Sequence, residues 1–132
     1  TWTPILRGSS VAGSNNYSYQ VGTWKRIGDT YQLEGRLTIS GAVDPTMAGN
    51  MEIAGLPATV VSGTQGREAT ISFNYVNNLS LATGKSISGR GLVGTNTIVL
   101  AERGNVGDTN LTSPTKFGAS LDLRFRIIYT RA

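Results

Sequence analysis

Between Gly22 and Gly41 the sequence reads GTWKRIGDTYQLEGRLTISG, and its second half alternates strictly. Tyr31, Leu33, Gly35, Leu37 and Ile39 fall on one side of an extended chain, with Gln32, Glu34, Arg36, Thr38 and Ser40 on the other. A period of two is what an antiparallel strand with one buried face requires. Gly28-Asp29, just ahead of it, is a two-residue, glycine-first connection suited to a type II′ hairpin turn. The same alternation returns near the end of the chain. There Leu121, Leu123, Phe125, Ile127 and Tyr129 share one face, and Asp122, Arg124, Arg126 and Ile128 the other.

Composition narrows what surrounds these strands. Gly, Ser, Thr and Asn supply 54 of the 132 residues and only 15% are charged, so turns are plentiful and long helices poorly supported. Apolar residues make up 39% and lie in alternating runs, which argues against disorder. A chain of this length fits one domain with a real core, taken here as residues 1–132. No run approaches the ~18 apolar residues of a membrane span, so membrane insertion is not expected.

In chain order, Trp2 to Leu6 reads as a short first strand, confined by Pro4 to an edge or a strand start because proline cannot donate to the ladder. A Gly/Ser/Asn loop precedes Tyr17 to Val21, with Gly22 expected as a break. Asn50 to Ala54 is compact, and Pro57 holds Leu56 extended. Glu68 to Val76 alternates again, with Ala69, Ile71, Phe73 and Tyr75 expected on one face. Asn77-Asn78 suits a type I′ turn, since Asn tolerates positive φ. Ile87 to Val93 and Thr97 to Ala101 are the next strands. Residues 103–117 form the longest stretch without a pattern, which makes them the leading candidate for a functional loop. Nine or so short strands with frequent turn signals predict an all-β, single-domain antiparallel β-sandwich of jelly-roll type.

The chemistry open to this chain is restricted. It has no cysteine and no histidine, which removes disulfides, thiolate sites, the commonest zinc ligands and the commonest general base. Gly89-Arg90-Gly91-Leu92-Val93-Gly94 matches a dinucleotide fingerprint letter by letter. The β-branched residues that follow it make a strand where that motif needs a helix, so it is rejected. The carboxylates sit beside arginines and read as ion-pairing groups rather than a glycosidase pair. No enzyme activity, cofactor or metal is therefore expected. The net charge of +4 is dispersed, without the basic stripe and interleaved aromatics of a nucleic-acid binder, so nucleic acid is not an expected partner.

The candidate site residues are those suited to sugars, which are held by aromatic faces and by hydrogen bonds from amides and carboxylates. Tyr17 is expected to be exposed beside Asn15 and Asn16 on one loop, with Asp108 and Asn110 on the long one. Arg124 and Arg126 can pair with Glu34 or Asp122, or with acidic groups of another subunit. Ile128 places an apolar side chain on their polar face, which a lone chain would expose.

The order of landmarks resembles a known family. Thr1-Trp2-Thr3-Pro4, Tyr17 to Gln20, Trp24-Lys25-Arg26-Ile27-Gly28-Asp29, Gly35-Arg36-Leu37-Thr38 and Gly55-Leu56-Pro57 look like the C-terminal domain of bacteriophage tail fibres and tailspikes. Trp24 stands where the family pattern has Tyr. The resemblance covers residues 1–57 and a terminal strand at Ile127 to Tyr129. It implies a homotrimeric β-sandwich cut from a longer virion protein, placed at the fibre tip. There it would bind a bacterial surface glycan without catalysis, with Arg124, Arg126 and Ile128 at the trimer interface, or serve only as a trimerisation cap.

Overall fold

The computed structural model of the chain describes residues 1–61 and 69–131. Among these residues there are nine strands: β1 (Ile5–Gly8), β2 (Tyr17–Ile27), β3 (Thr30–Ile39), β4 (Met51–Ala54), β5 (Thr70–Leu79), β6 (Ser86–Gly91), β7 (Thr97–Gly104), β8 (Gly107–Asn110) and β9 (Phe117–Thr130). The helical content among the described residues is one 3-10 turn, Pro114–Lys116. The all-β expectation holds.

All pairings are antiparallel in the order β1-β4-β7-β6-β5-β9-β3-β2, with β8 added beside β7. The sheet folds into two layers because two of its junctions are thin. Between β5 and β6 the register holds a single pair, Thr70 with Arg90. Between β1 and β2 the closure is an isolated Trp2–Gly22 pair. The rest of that seam is bridged by side chains: the Gln20 amide donates to the Pro4 carbonyl at 2.9 Å, and the Tyr17 hydroxyl accepts from the Leu6 amide at 2.9 Å. The result is an antiparallel sandwich that nearly closes into a barrel, with β2-β3-β9-β5 as one layer and β1-β4-β7-β6 as the other.

The alternation seen in sequence builds the core. Leu33, Leu37, Ile39, Leu121, Leu123, Phe125, Ile127 and Tyr129 are all buried, and β3 pairs Leu33 with Ile127 and Leu37 with Leu123. Met51, Ile53, Ile98 and Leu100 meet them from the other layer. Each such side chain contributes roughly 1.5–3 kcal/mol when fully buried, so this interlayer contact dominates the stability.

Gly35 interrupts the inward apolar row for a packing reason. It pairs with Gly22 across β2 and β3, and the two bare positions receive the Trp2 indole and the Phe125 ring. A Cβ on Gly22 would lie 2.1 Å from Trp2 Nε1, and one on Gly35 would lie 2.6 Å from Phe125 Cε2. Gly22 is therefore not the break expected from the sequence; β2 runs through it without interruption. At the hairpin, Gly28 has φ 59° and Asp29 is not in the positive region, as a type II′ turn requires.

Other expectations are corrected. Asn77-Asn78 is not a turn: Asn78 does take a positive φ of 62°, but as a bulge within β5, whose register against β9 shifts between Asn77 and Leu79. A second shift between Phe73 and Tyr75 turns Tyr75 to the outer face, away from Ala69, Ile71 and Phe73. Residues 103–117 are only partly irregular: β7 continues to Gly104 and β8 returns along it, which leaves residues 111–113 and the 3-10 turn before β9. The expected strand start at Glu68 lies outside the described residues.

Candidate functional site

Strand directions sort the connections into two ends. Residues 9–16, 40–50, 80–85, 105–106 and 111–116 lie at one end, opposite the β2–β3 turn. All five carbohydrate candidates are at or beside this first end, but they do different things there.

Asn15 and Tyr17 converge on the backbone of Leu6. Asn15 Nδ2 donates to the Leu6 carbonyl at 3.0 Å, while its Oδ1 accepts from the Asp44 amide at 2.8 Å. Tyr17 is half-buried rather than exposed, and burial raises its hydroxyl above the ordinary tyrosine value against the opposing hydrogen bonds from Leu6 and Asn15. Its ring packs against the core, so it closes the seam and is no open platform. Asn16 remains exposed, with its carbonyl accepting from Ser40 at 2.7 Å. Asp44 ties the neighbouring loop: Oδ1 accepts from the Thr46 amide and hydroxyl and Oδ2 from the Ser14 amide, which holds its carboxyl below the usual range.

Asp108 and Asn110 come together on β8. The Arg103 guanidinium grips Asp108 through two contacts, Nε at 3.1 Å and a terminal nitrogen at 3.4 Å, and lowers the carboxyl's pKa. Beside them opens a cleft of about 530 Å³ lined by Asn50, Arg90, Asp108, Thr109, Asn110 and Thr112. Amides, hydroxyls, a guanidinium and a carboxylate line it in close succession. That mixture can both donate to and accept from a polyhydroxylated ligand. The contribution of Asn50 and Arg90 was not legible in sequence, because β4 and β6 reach β8 only through the shared neighbour β7.

On the outer face of β9, Arg126 pairs with Glu34 across β3, and Ile128 is 43% exposed. Arg124 stands directly opposite Arg36. Both guanidiniums reach the same oxygen of Asp122, at 3.2 and 3.1 Å. Burial pushes the Asp122 carboxyl up, but the bonds from Arg124 and Arg36 outweigh it and the net shift is downward. Each arginine also lies over an aromatic ring, Arg36 on Tyr19 and Arg124 on Tyr75, both 4.5 Å from guanidinium carbon to ring centre. Sequence reading missed this five-residue arrangement because Tyr75 reaches it only through the bulge before it. Among the described residues no group of three or more carboxylates gathers in a way that could hold a metal.

No family model matches the sequence, and no curated protein matches it either. Among solved structures, the fold is similar to part of the crystal structure of the Dettilon tailspike protein, with a TM-score of 0.75. Identity is 18%, and the match covers 96% of this chain and 22% of that one. The likeness is one of fold: the barrel-like sandwich occurs as one part of a phage tailspike.

Proposed function

We propose that this chain is a non-catalytic, carbohydrate-binding domain of a bacteriophage tail fibre or tailspike, carried on the virion and recognising bacterial surface polysaccharide. The cleft beside β8 carries the reading: Asp108 and Asn110 line it together with Asn50, Arg90, Thr109 and Thr112. Sugar hydroxyls need donors and acceptors side by side, and a shallow polar cleft supplies them at low affinity per site. Three copies in a homotrimer raise the avidity without a tighter single site. The fold shared with part of a tailspike supports the phage context.

The test is binding of the Asp108→Ala/Asn110→Ala double variant to host cells and to purified surface polysaccharide, with folding checked by circular dichroism. A folded variant that binds at least roughly tenfold more weakly supports the site, the loss corresponding to one or two hydrogen bonds with charged or amide partners. Unchanged binding removes it.

A second reading, a trimerisation cap with no ligand of its own, is favoured by Ile128, with 43% of its surface bare on the outer face. Arg124 and Arg126 have Asp122, Tyr75 and Glu34 as partners within the chain, which reduces what they offer a neighbouring subunit. Light scattering separates the outcomes: a trimer that Ile128→Asp dissociates supports this contact, and a monomeric parent chain sinks both the cap and the avidity argument.

A further inference from the structure

Arg36 and Arg124 form an unusual pair for a sheet surface. Like charges directly opposite each other on antiparallel strands repel, yet β3 and β9 hold these two in register and give them one shared oxygen of Asp122. One carboxylate cannot neutralise two guanidiniums. The second carboxylate nearby, Glu34, is already taken by Arg126. A positive charge is therefore left over at a fixed place.

That place is a cleft. About 300 Å³ opens on the outer face beside Arg36 and Arg124, with Tyr19, Val21, Thr23 and Asn74 around it and Glu34, whose carboxylate is held by Arg126, at its wall. Tyr19 and Val21 are exposed at 47% and 39%, which offers an apolar surface to the C–H face of a sugar ring. Thr23 and Asn74 offer a hydroxyl and an amide. The stacking of each guanidinium on a tyrosine fixes its plane before any ligand arrives, so little side-chain freedom remains to be lost on binding. The space suits one ring, not a polyanionic strand.

We propose that this cleft binds the carboxylate of an acidic sugar, a uronate unit of a polysaccharide, through the two guanidinium forks. Planar forks match a carboxylate in two-point fashion, and such charge-assisted bonds are the strong ones. For its ligand class the proposal rests on the glycan-binding reading above, but it uses another face and other residues. Ile128 lies four residues further along β9, ~13 Å away, so a subunit contact there and a sugar here are compatible.

The experiment is an amide-resolved NMR titration of the whole chain with three probes: trigalacturonate, its methyl ester, and a galactose 6-phosphate arm. Trigalacturonate is expected to shift the amides of Tyr19, Arg36 and Arg124, with the ester leaving them in place. Arg124→Gln is expected to weaken trigalacturonate binding at least roughly tenfold, the loss of a charged hydrogen bond. Arg124→Lys, which keeps the charge without the fork and preserves a counter-ion for Asp122, is expected to fall between the two and carries the test if the Gln variant does not fold. Asp108→Ala is expected to leave these shifts unchanged. Equal binding of the ester, or equal binding by Arg124→Gln, overturns the proposal. Tighter binding of the phosphate probe overturns the assignment to a carboxylate. Shifts confined to the β8 cleft overturn it while sparing the glycan-binding reading; shifts at Arg36 and Arg124 with the β8 cleft silent support it and move the glycan site away from β8.

Discussion

The phenol of Tyr129 engages both backbone polar groups of Ala58, accepting from its amide at 3.1 Å and donating to its carbonyl at 3.0 Å. The segment after Pro57 is thereby fixed to the last strand, next to the Val61 amide that donates to the Thr130 carbonyl at 2.9 Å. Tyr129→Phe leaves the amide and carbonyl of Ala58 without that partner. The expected cost is about 1–3 kcal/mol, read as a lower urea midpoint at unchanged slope. A midpoint equal to that of the parent chain would count against the clamp.

The same hydroxyl sets an alkaline limit. Burial pushes Tyr129 up to about 12, against the opposing Ala58 bond, and Tyr17 is raised as well. An unfolded tyrosine titrates near 10, so the folded chain holds these protons more tightly. The associated stability is complete below about pH 10 and declines as pH rises towards 12. Urea midpoints measured across that range should fall, and Tyr129→Phe should flatten the decline.

At the acid end the sign reverses. Asp44, Asp108 and Asp122 are all held below the ordinary carboxylate value, so their contribution is present above about pH 4 and is lost as pH drops through their folded values. Asp122→Asn removes the shared counter-ion of Arg36 and Arg124 and is expected to cost about 1–2 kcal/mol, discounted because both arginines are partly solvated. Adding Arg124→Gln to it should recover part of the loss. A double-mutant cycle showing strict additivity would mean that Asp122 and Arg124 are not energetically coupled.

Gly22→Ala forces a methyl group into the Trp2 indole. Overpacking of this kind costs about 1–3 kcal/mol, and the displaced indole should report it as a red-shifted tryptophan emission. Retention of the parent spectrum and stability would show that the indole can move aside at no cost.

Val106, at the tip of the β7–β8 hairpin, is fully exposed. Val106→Asp is expected to change stability by less than ~0.5 kcal/mol, checked by the thermal midpoint. A larger loss would mean that the tip packs against a second molecule.

The strands were legible wherever one face is buried, because burial writes a period of two into the sequence. Both long strands of the core, β3 and β9, could be read that way. What escaped were positions where the backbone steps out of that period. Tyr75 has the right spacing to face inward, but a bulge before it rotates the rest of β5, and bulges leave no compositional mark at a residue as ordinary as Asn74. Asn78 showed its positive φ through its identity, though not whether the chain turned or bulged there. Tyr17 was misjudged because its neighbours are polar, while its hydroxyl is used by Leu6 on a strand eleven residues away. At the candidate site, Asp108 and Asn110 could be found as polar loop residues, whereas Arg36 and Tyr19 joined Arg124 and Tyr75 only once strand order placed them on one surface.

The seam between the first two strands has a mechanical consequence. Apart from the thin β5–β6 junction, the other strand junctions are ladders of main-chain bonds, but this one depends on an indole, an amide side chain and a phenol around a single backbone pair. Side chains swing on faster timescales than paired strands separate, so the molecule should breathe along this line as a cuff opens at its fastening. The amides nearest Trp2 and Leu6 would then exchange with solvent ahead of those on β9, which is flanked on both sides by long ladders.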